Sequence, residues 1–195
     1  MRVNPKYIEV FGDTIIPVLG YFLWSWDLYF IVLYFILELL FSEWFLHLKA
    51  HKINALQPSL NSWVINGISG VLGLFTVIFL IHVGFSFLTP EIDFQKQFIA
   101  FIAYEDMGIA QGFVLFPLLI VSGYQKYKLE FIRLKKYETL TIQKIWRFQL
   151  MKYFFILLLT GCCCLIMLTG VSNSLVYLVV ILLASTVFKI FSPQF

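Results

Sequence analysis

The sequence predicts an all-α integral membrane protein, a single transmembrane domain of six helices with both termini in the cytoplasm. Three observations carry that expectation. Hydrophobic residues make up 61% of the 195 and charged residues only 13%, with a mean hydropathy of +0.88, which is more apolar surface than a soluble core of this size buries. The apolar residues gather into stretches close to the roughly 20 residues that a helix needs to cross a hydrocarbon core. Threaded alternately across a bilayer, these stretches put every one of the 14 Lys and Arg residues except Lys96 on one side, the bias that marks a cytoplasmic face. The chain therefore reads as a multi-pass protein of the cell inner (plasma) membrane. Its net charge of +3 is explained by that bias and does not point to nucleic acid.

The first span, 8–26, follows Arg2 and Lys6. Its apolar run is long and ends in Trp24-Ser25-Trp26 without a small-residue cleavage site, so it reads as retained and not as a signal peptide. Only Asp27 separates it from the second span, 28–48, which predicts a tight helical hairpin turning at Ser25-Trp26-Asp27. The third span, 63–88, carries Gly67, Gly70 and Gly73 with Asn66 and Ser69 beside them; the fourth, 98–123, carries Gly108 and Gly112. Small residues let helices approach closely, inside one chain or in a homo-oligomer. Glu105 and Asp106 interrupt the fourth span, so 94–104 has the alternative of an interfacial helix ahead of a shorter span that starts near Met107.

The connection 124–152 is the one substantial extramembrane segment. Lys126, Lys128, Arg133, Lys135, Lys136, Lys144 and Arg147 alternate there with Phe131, Leu134, Ile142, Ile145, Trp146 and Phe148. That pattern predicts one or two amphipathic helices lying on an anionic leaflet or docking a partner membrane protein. In the fifth span, 153–171, Cys162-Cys163-Cys164 point about 100° apart on a helix and match no zinc or haem spacing; they read as small packing residues. Lys189 closes the sixth span, 174–191, on the basic side. Trp24, Trp26, Trp63, Tyr124, Tyr153 and Tyr177 fall at segment ends, as an interfacial belt requires.

Ionisable residues inside spans are expensive in hydrocarbon and tend to face the bundle interior. They are Glu38, His82, Glu105 and Asp106. Counted at about 1.5 Å per residue from the outer helix ends, they lie roughly 9 to 15 Å deep, in one outer-half layer. A carboxylate and an imidazole meeting there relay protons, bind a cation or hold a metal; the bland alternative is a buried structural pair. A second group, Glu43, His47 and His51, is spaced four apart and stacks on one helix face. Such spacing suits a divalent metal, although Lys49 and Lys52 beside it oppose one. With 3 His in all, a histidine-rich di-iron centre is excluded.

Ile15-Ile16-Pro17-Val18-Leu19-Gly20, then Trp26, then Leu33-Tyr34-Phe35-Ile36-Leu37-Glu38 resembles the opening of an uncharacterised prokaryotic membrane family, domain of unknown function 6498. Ile81-His82-Val83-Gly84-Phe85 is similar to that family's third helix. The second half of the chain is similar in layout only, and Phe35 and Lys152-Tyr153 depart from the pattern. The resemblance implies six helices and singles out Glu38 and His82, without naming an activity.

Three functions fit these features. The first is a small transporter or an ion- or proton-conducting protein with a buried Glu/His site. The second is a non-catalytic membrane subunit or effector that docks a partner through its basic segment. The third is a membrane-embedded metalloenzyme using Glu38, His82, Glu105 and Asp106. No phosphate-binding loop or Ser/His/Asp pattern appears in the chain.

Overall fold

The structure, a computed structural model, describes residues 5–88, 93–104, 111–170 and 173–191, with side chains from residue 11 onward, 13 and 191 excepted. Every regular element among the described residues is helical. In chain order these are α1 (Pro5–Leu23), α2 (Leu28–Leu56), α3 (Leu60–Leu88), α4 (Phe94–Ala103), α5 (Gln111–Gln125), α6 (Ile142–Leu168) and α7 (Ser174–Phe191). A π-helical segment, Lys126–Ile132, continues α5, and a 3₁₀ turn, Lys136–Glu138, precedes α6. Glu105, Asp106 and Gly108 lie outside the described residues. Three described helices, α2, α3 and α6, are long and apolar enough to cross a membrane. Their outward faces are strongly apolar: Ile65, Leu72, Phe75 and Phe79 on α3 and Phe154 and Leu165 on α6 are each more than 60% exposed. Apolar patches of this extent mark contact with lipid or another apolar surface.

The hairpin forms where the sequence puts it. Ser25 takes a left-handed backbone, φ 51°, and the Trp26 amide donates to the Gly20 carbonyl at 2.9 Å. Asp27 then caps α2, accepting from the Phe30 amide at 2.6 Å, which satisfies one of the helix's orphan donors. α2 is apolar all round and is accordingly the central helix, with residues such as Ile31, Leu33, Tyr34 and Leu39 buried on several faces. α3 lies antiparallel to it and parallel to α6. The glycine face of α3 makes the second approach close: Gly70 lies against Trp146, Gly73 against Tyr153, and Gly84 against Thr160 and Cys164.

Several sequence expectations are corrected. The fourth span is not one continuous helix over 98–123. α4 ends at Tyr104, whose carbonyl accepts from the Gln111 amide at 2.9 Å, as the alternative division of this segment anticipated. Two ionisable residues in sequence, Glu105 and Asp106, are a poor continuation of an apolar helix. Nor is 124–152 a separate connection between two short spans. α5 runs on through the π-helical segment, and α6 begins at Ile142, where Thr141 caps it by accepting from the Lys144 amide at 3.3 Å.

The apolar residues of this region face protein. Phe131, Leu140, Ile142, Ile145 and Trp146 form a second core with Leu46, Ala50 and Ile53 at the end of α2, in place of a helix laid flat on a leaflet. Leu134 alone among the expected lipid-facing residues is well exposed, at 62%. Of the expected aromatic belt, Trp26, Tyr153 and Tyr177 are instead buried, all at 3% exposure or less. Two of them use a polar head inside: the Trp26 indole donates to Gln111 Oε1 at 2.8 Å and the Tyr153 hydroxyl donates to Glu43 Oε2, a use of the polar handle that burial requires.

Candidate functional site

Glu38 sits in the middle of α2, and its partner is Lys189 near the end of α7. The Lys189 Nζ is 2.9 Å from Glu38 Oε1, and both side chains are mostly covered, at 17% and 18% exposure. The fields of Lys152 and Lys126 also reach this carboxylate, and the Lys152 ammonium donates to Ser42 Oγ at 3.3 Å, one turn along α2 from Glu38. The residual exposure opens on a cavity of about 340 Å³ between α2, α3, α5, α6 and α7.

This cavity has two unlike ends. From the starts of α2 and α7 and the ends of α3 and α6 it is lined by Val32, Phe35, Phe85, Leu159, Met167 and Ile181. At the other end Lys49, Lys126, Lys152 and Lys189 line it together with Glu38 and Glu130. The π-helical segment supplies Lys126 and Glu130, so the wider turn places two charged groups on the rim; π-helical turns are frequent at functional sites.

His82 belongs to a different locality. Its Nε2 is 3.2 Å from the Tyr29 hydroxyl and its Nδ1 is 2.8 Å from the Ile78 carbonyl oxygen, with the Phe94 ring stacked edge-on at 4.8 Å. Tyr29 and Glu38 are nine residues apart on one helix, roughly 13 Å at 1.5 Å per residue. The expected Glu38–His82 pair is thus replaced by two separate arrangements: Glu38 with a lysine, and His82 with a tyrosine and an aromatic cage.

Glu43 and His47 do meet, while His51 turns away. Glu43 is buried, and its Oε2 accepts from Gln149 Nε2 at 2.9 Å and from the Tyr153 hydroxyl. Its Oε1 is 3.3 Å from His47 Nε2, close enough for attraction, although neither atom completes a hydrogen bond. His51 packs on the Trp63 ring at 5.8 Å instead. Among the described residues no three His, Cys, Asp or Glu side chains are grouped to hold a metal ion. The helix register explains this: four-apart residues drift around the axis, and two turns suffice to carry the third onto α3.

The basic residues of 126–147 divide. Lys126 turns into the cavity, Lys128 lies over the Tyr124 ring at 5.7 Å, and Lys135 reaches Glu138 at 4.0 Å from a left-handed backbone, φ 50°. Lys136 is partly covered, and Arg133, Lys144 and Arg147 are exposed. Sequence reasoning missed Lys189, Lys152 and Lys49 as site residues because it counted them as flanking charges. The missed signal was depth: Lys189 lies 15 residues into α7, roughly 22 Å, against roughly 15 Å for Glu38 in the parallel α2, a gap that a lysine side chain spans.

Outside the long apolar helices, burial pushes the Asp27 carboxyl above the usual range against the opposing pull of the Phe30 and Tyr29 amides. Asp93, exposed beside Lys96 at 3.1 Å, is held below it by the Lys96 backbone amide and ammonium. Comparison with protein-family models, with curated proteins and with solved structures finds no match.

Proposed function

We propose that the chain is a small transport protein of the inner (plasma) membrane, with six spans, both termini cytoplasmic, and a substrate site in the cavity centred on Glu38 and Lys189. The observation that carries the reading is a charged pair set deep between helices on an open cavity, since ionisable groups at that depth are costly and mark substrate or ion paths. The pair also offers a mechanism. A substrate anion that draws Lys189, Lys152 and Lys126 onto itself leaves Glu38 buried without its cations, and a buried carboxylate without a partner takes up a proton. Substrate binding and protonation are thereby coupled. The charge bias of the connections supports the topology, and the resemblance carried by 15–38 and 81–85 belongs to the same proposal.

The test is proton flux into proteoliposomes that enclose a pH-sensitive dye. Wild-type protein is expected to carry protons above the protein-free background, and Glu38→Gln to lose at least about tenfold while still eluting as a folded species. Flux that is absent, or equal in the variant, sinks the reading.

A second reading has its own observation. The basic segment folds on a core shared with the end of α2 and leaves Arg133, Lys144 and Arg147 exposed, which suits docking of an acidic partner. It predicts that charge reversal at Lys135, Lys136 or Arg147 abolishes function while Glu38→Gln does not.

A further inference from the structure

We infer that the cavity takes a single-chain anionic amphiphile, its acidic head among the inner-end lysines and its apolar chain between the outer halves of α2, α6 and α7. The inference rests on the transport reading for its site and adds the class of substrate.

Shape argues first. The lining of α2 runs from Leu28 to Lys49, roughly 30 Å at 1.5 Å per residue. That length against a volume of about 340 Å³ makes the cavity a slot and not a round chamber. An extended chain fits such a slot better than a compact molecule does.

Charge argues second, and from four helical segments at once. Lys49 on α2, Lys126 on the π-helical segment, Lys152 on α6 and Lys189 on α7 all line the same end, where Glu38 and Glu130 are the carboxylates. By formal charge, four lysines against two carboxylates among the lining residues make that end positive. A low-dielectric wall strengthens the pull of such a surplus on an anion. Lysine heads suit a phosphate or carboxylate as point charges.

Polarity argues third. The outer lining offers Val32, Phe35, Phe85, Leu159 and Ile181, with Thr160, Cys163, Cys164 and Tyr177 bringing its polar groups. A small hydrophilic anion gains nothing there, whereas an alkyl chain gains from every covered methylene, about 0.8 kcal/mol each. The ligand therefore combines both ends: an acidic head that alone is attracted to the lysines, on a chain that alone fills the slot.

The experiment is equilibrium binding of dodecyl phosphate to the full chain in nanodiscs of neutral lipid, with dodecanol and inorganic phosphate as comparison probes. Dodecyl phosphate is expected to bind at least about tenfold more tightly than either. Lys126→Gln and Lys152→Gln should each weaken it about tenfold, the loss of one charge-assisted contact, Lys152→Arg should restore it, and Leu159→Trp should block it by filling the slot. Lys52→Gln, a cation outside the cavity, should change nothing.

Equal binding of dodecanol, full competition by inorganic phosphate, or an effect of Lys52→Gln as large as that of Lys126→Gln overturns the inference. Failure here and failure of the transport reading are separable. No binding together with proton flux that depends on Glu38 means that the ligand class is wrong. Binding as expected with flux indifferent to Glu38→Gln means that the slot is a lipid-binding site without transport.

Discussion

At the residue scale, the Glu38–Lys189 pair is asymmetric, and the asymmetry predicts which half matters more. Removing Glu38 leaves Lys189 among Lys152 and Lys126, whose fields already reach this point, and gathers like charges in a low-dielectric site. Removing Lys189 leaves Glu38 with those two cations in range. Glu38→Gln is therefore expected to lower the melting temperature in detergent more than Lys189→Gln, and the double variant to recover part of the loss, with a coupling on the order of 1 kcal/mol. The reverse order would mean that Lys152 and Lys126 lie too far away to compensate. Glu38 itself was legible in the sequence, since a lone carboxylate within an apolar run has to be explained. Its partner was not, because a long flexible side chain crosses a depth difference that counting along each helix treats as separation.

Asp27 gives a second prediction at this scale. Its carboxylate caps α2 but is desolvated, so its pKa is raised in the fold. The sign follows: a carboxyl bound more tightly to its proton in the folded state stabilises the fold at low pH, and that contribution is lost as pH rises through the raised value. At neutral pH, Asp27→Asn keeps the cap acceptor and removes the buried charge, and should match or exceed the wild-type melting temperature. Asp27→Ala should lose about 1 kcal/mol. Below the usual aspartate range the advantage of Asn over Asp should vanish, which a melting series between about pH 3 and about pH 7 reads directly.

At the scale of elements, the α3 glycines were legible as a packing face, but their partner was not. A Cβ on Gly70 would collide with the Trp146 ring and come within 2.7 Å of Glu43 Oε1, whereas one on Gly67 would meet His47 at an ordinary 3.5 Å. Gly70→Ala should thus destabilise by about 1 to 3 kcal/mol, the usual cost of overpacking, while Gly67→Ala should be neutral or gain up to about 1 kcal/mol from helix propensity. Denaturant titration of the two variants separates the cases; equal effects would show that the α3–α6 approach is looser than described. The basic segment misled for a physical reason. Apolar residues interleaved with lysines satisfy a leaflet and a protein groove equally well, and only the length of α2, which runs on to Leu56, supplies the groove. Gly73 shows the same economy, since a Cβ there would stand 3.1 Å from the Tyr153 ring, which sends its hydroxyl to Glu43. Loss of that donor in Tyr153→Phe should cost about 1 to 3 kcal/mol, because Glu43 stays buried with one partner fewer.

At the scale of the whole molecule, the division of the chain into apolar helices was legible from length alone, whereas the path between α4 and α5 was not, because charged residues that interrupt a span say where a helix stops and not where the chain goes next. The side on which each connection lies therefore decides the architecture. If α5 and its π-helical continuation cross the bilayer, Lys96 in the first turn of α4 and Lys135 beyond the π-helical segment face opposite compartments. If 94–125 dips and returns, they face the same one, and α6 would have to run against α3 instead of parallel to it. Both positions are suited to labelling, at 86% and 68% side-chain exposure. With Cys162, Cys163 and Cys164 replaced by alanine, a membrane-impermeant maleimide added to intact cells should modify Lys96→Cys and leave Lys135→Cys untouched until the cells are permeabilised. Modification of both from outside, or of neither, would reduce the crossings by one and overturn the parallel course of α3 and α6 that Gly70, Gly73 and Gly84 mark. It would also set Lys49 on the opposite face from Lys126 and Lys152, which line one end of the cavity together.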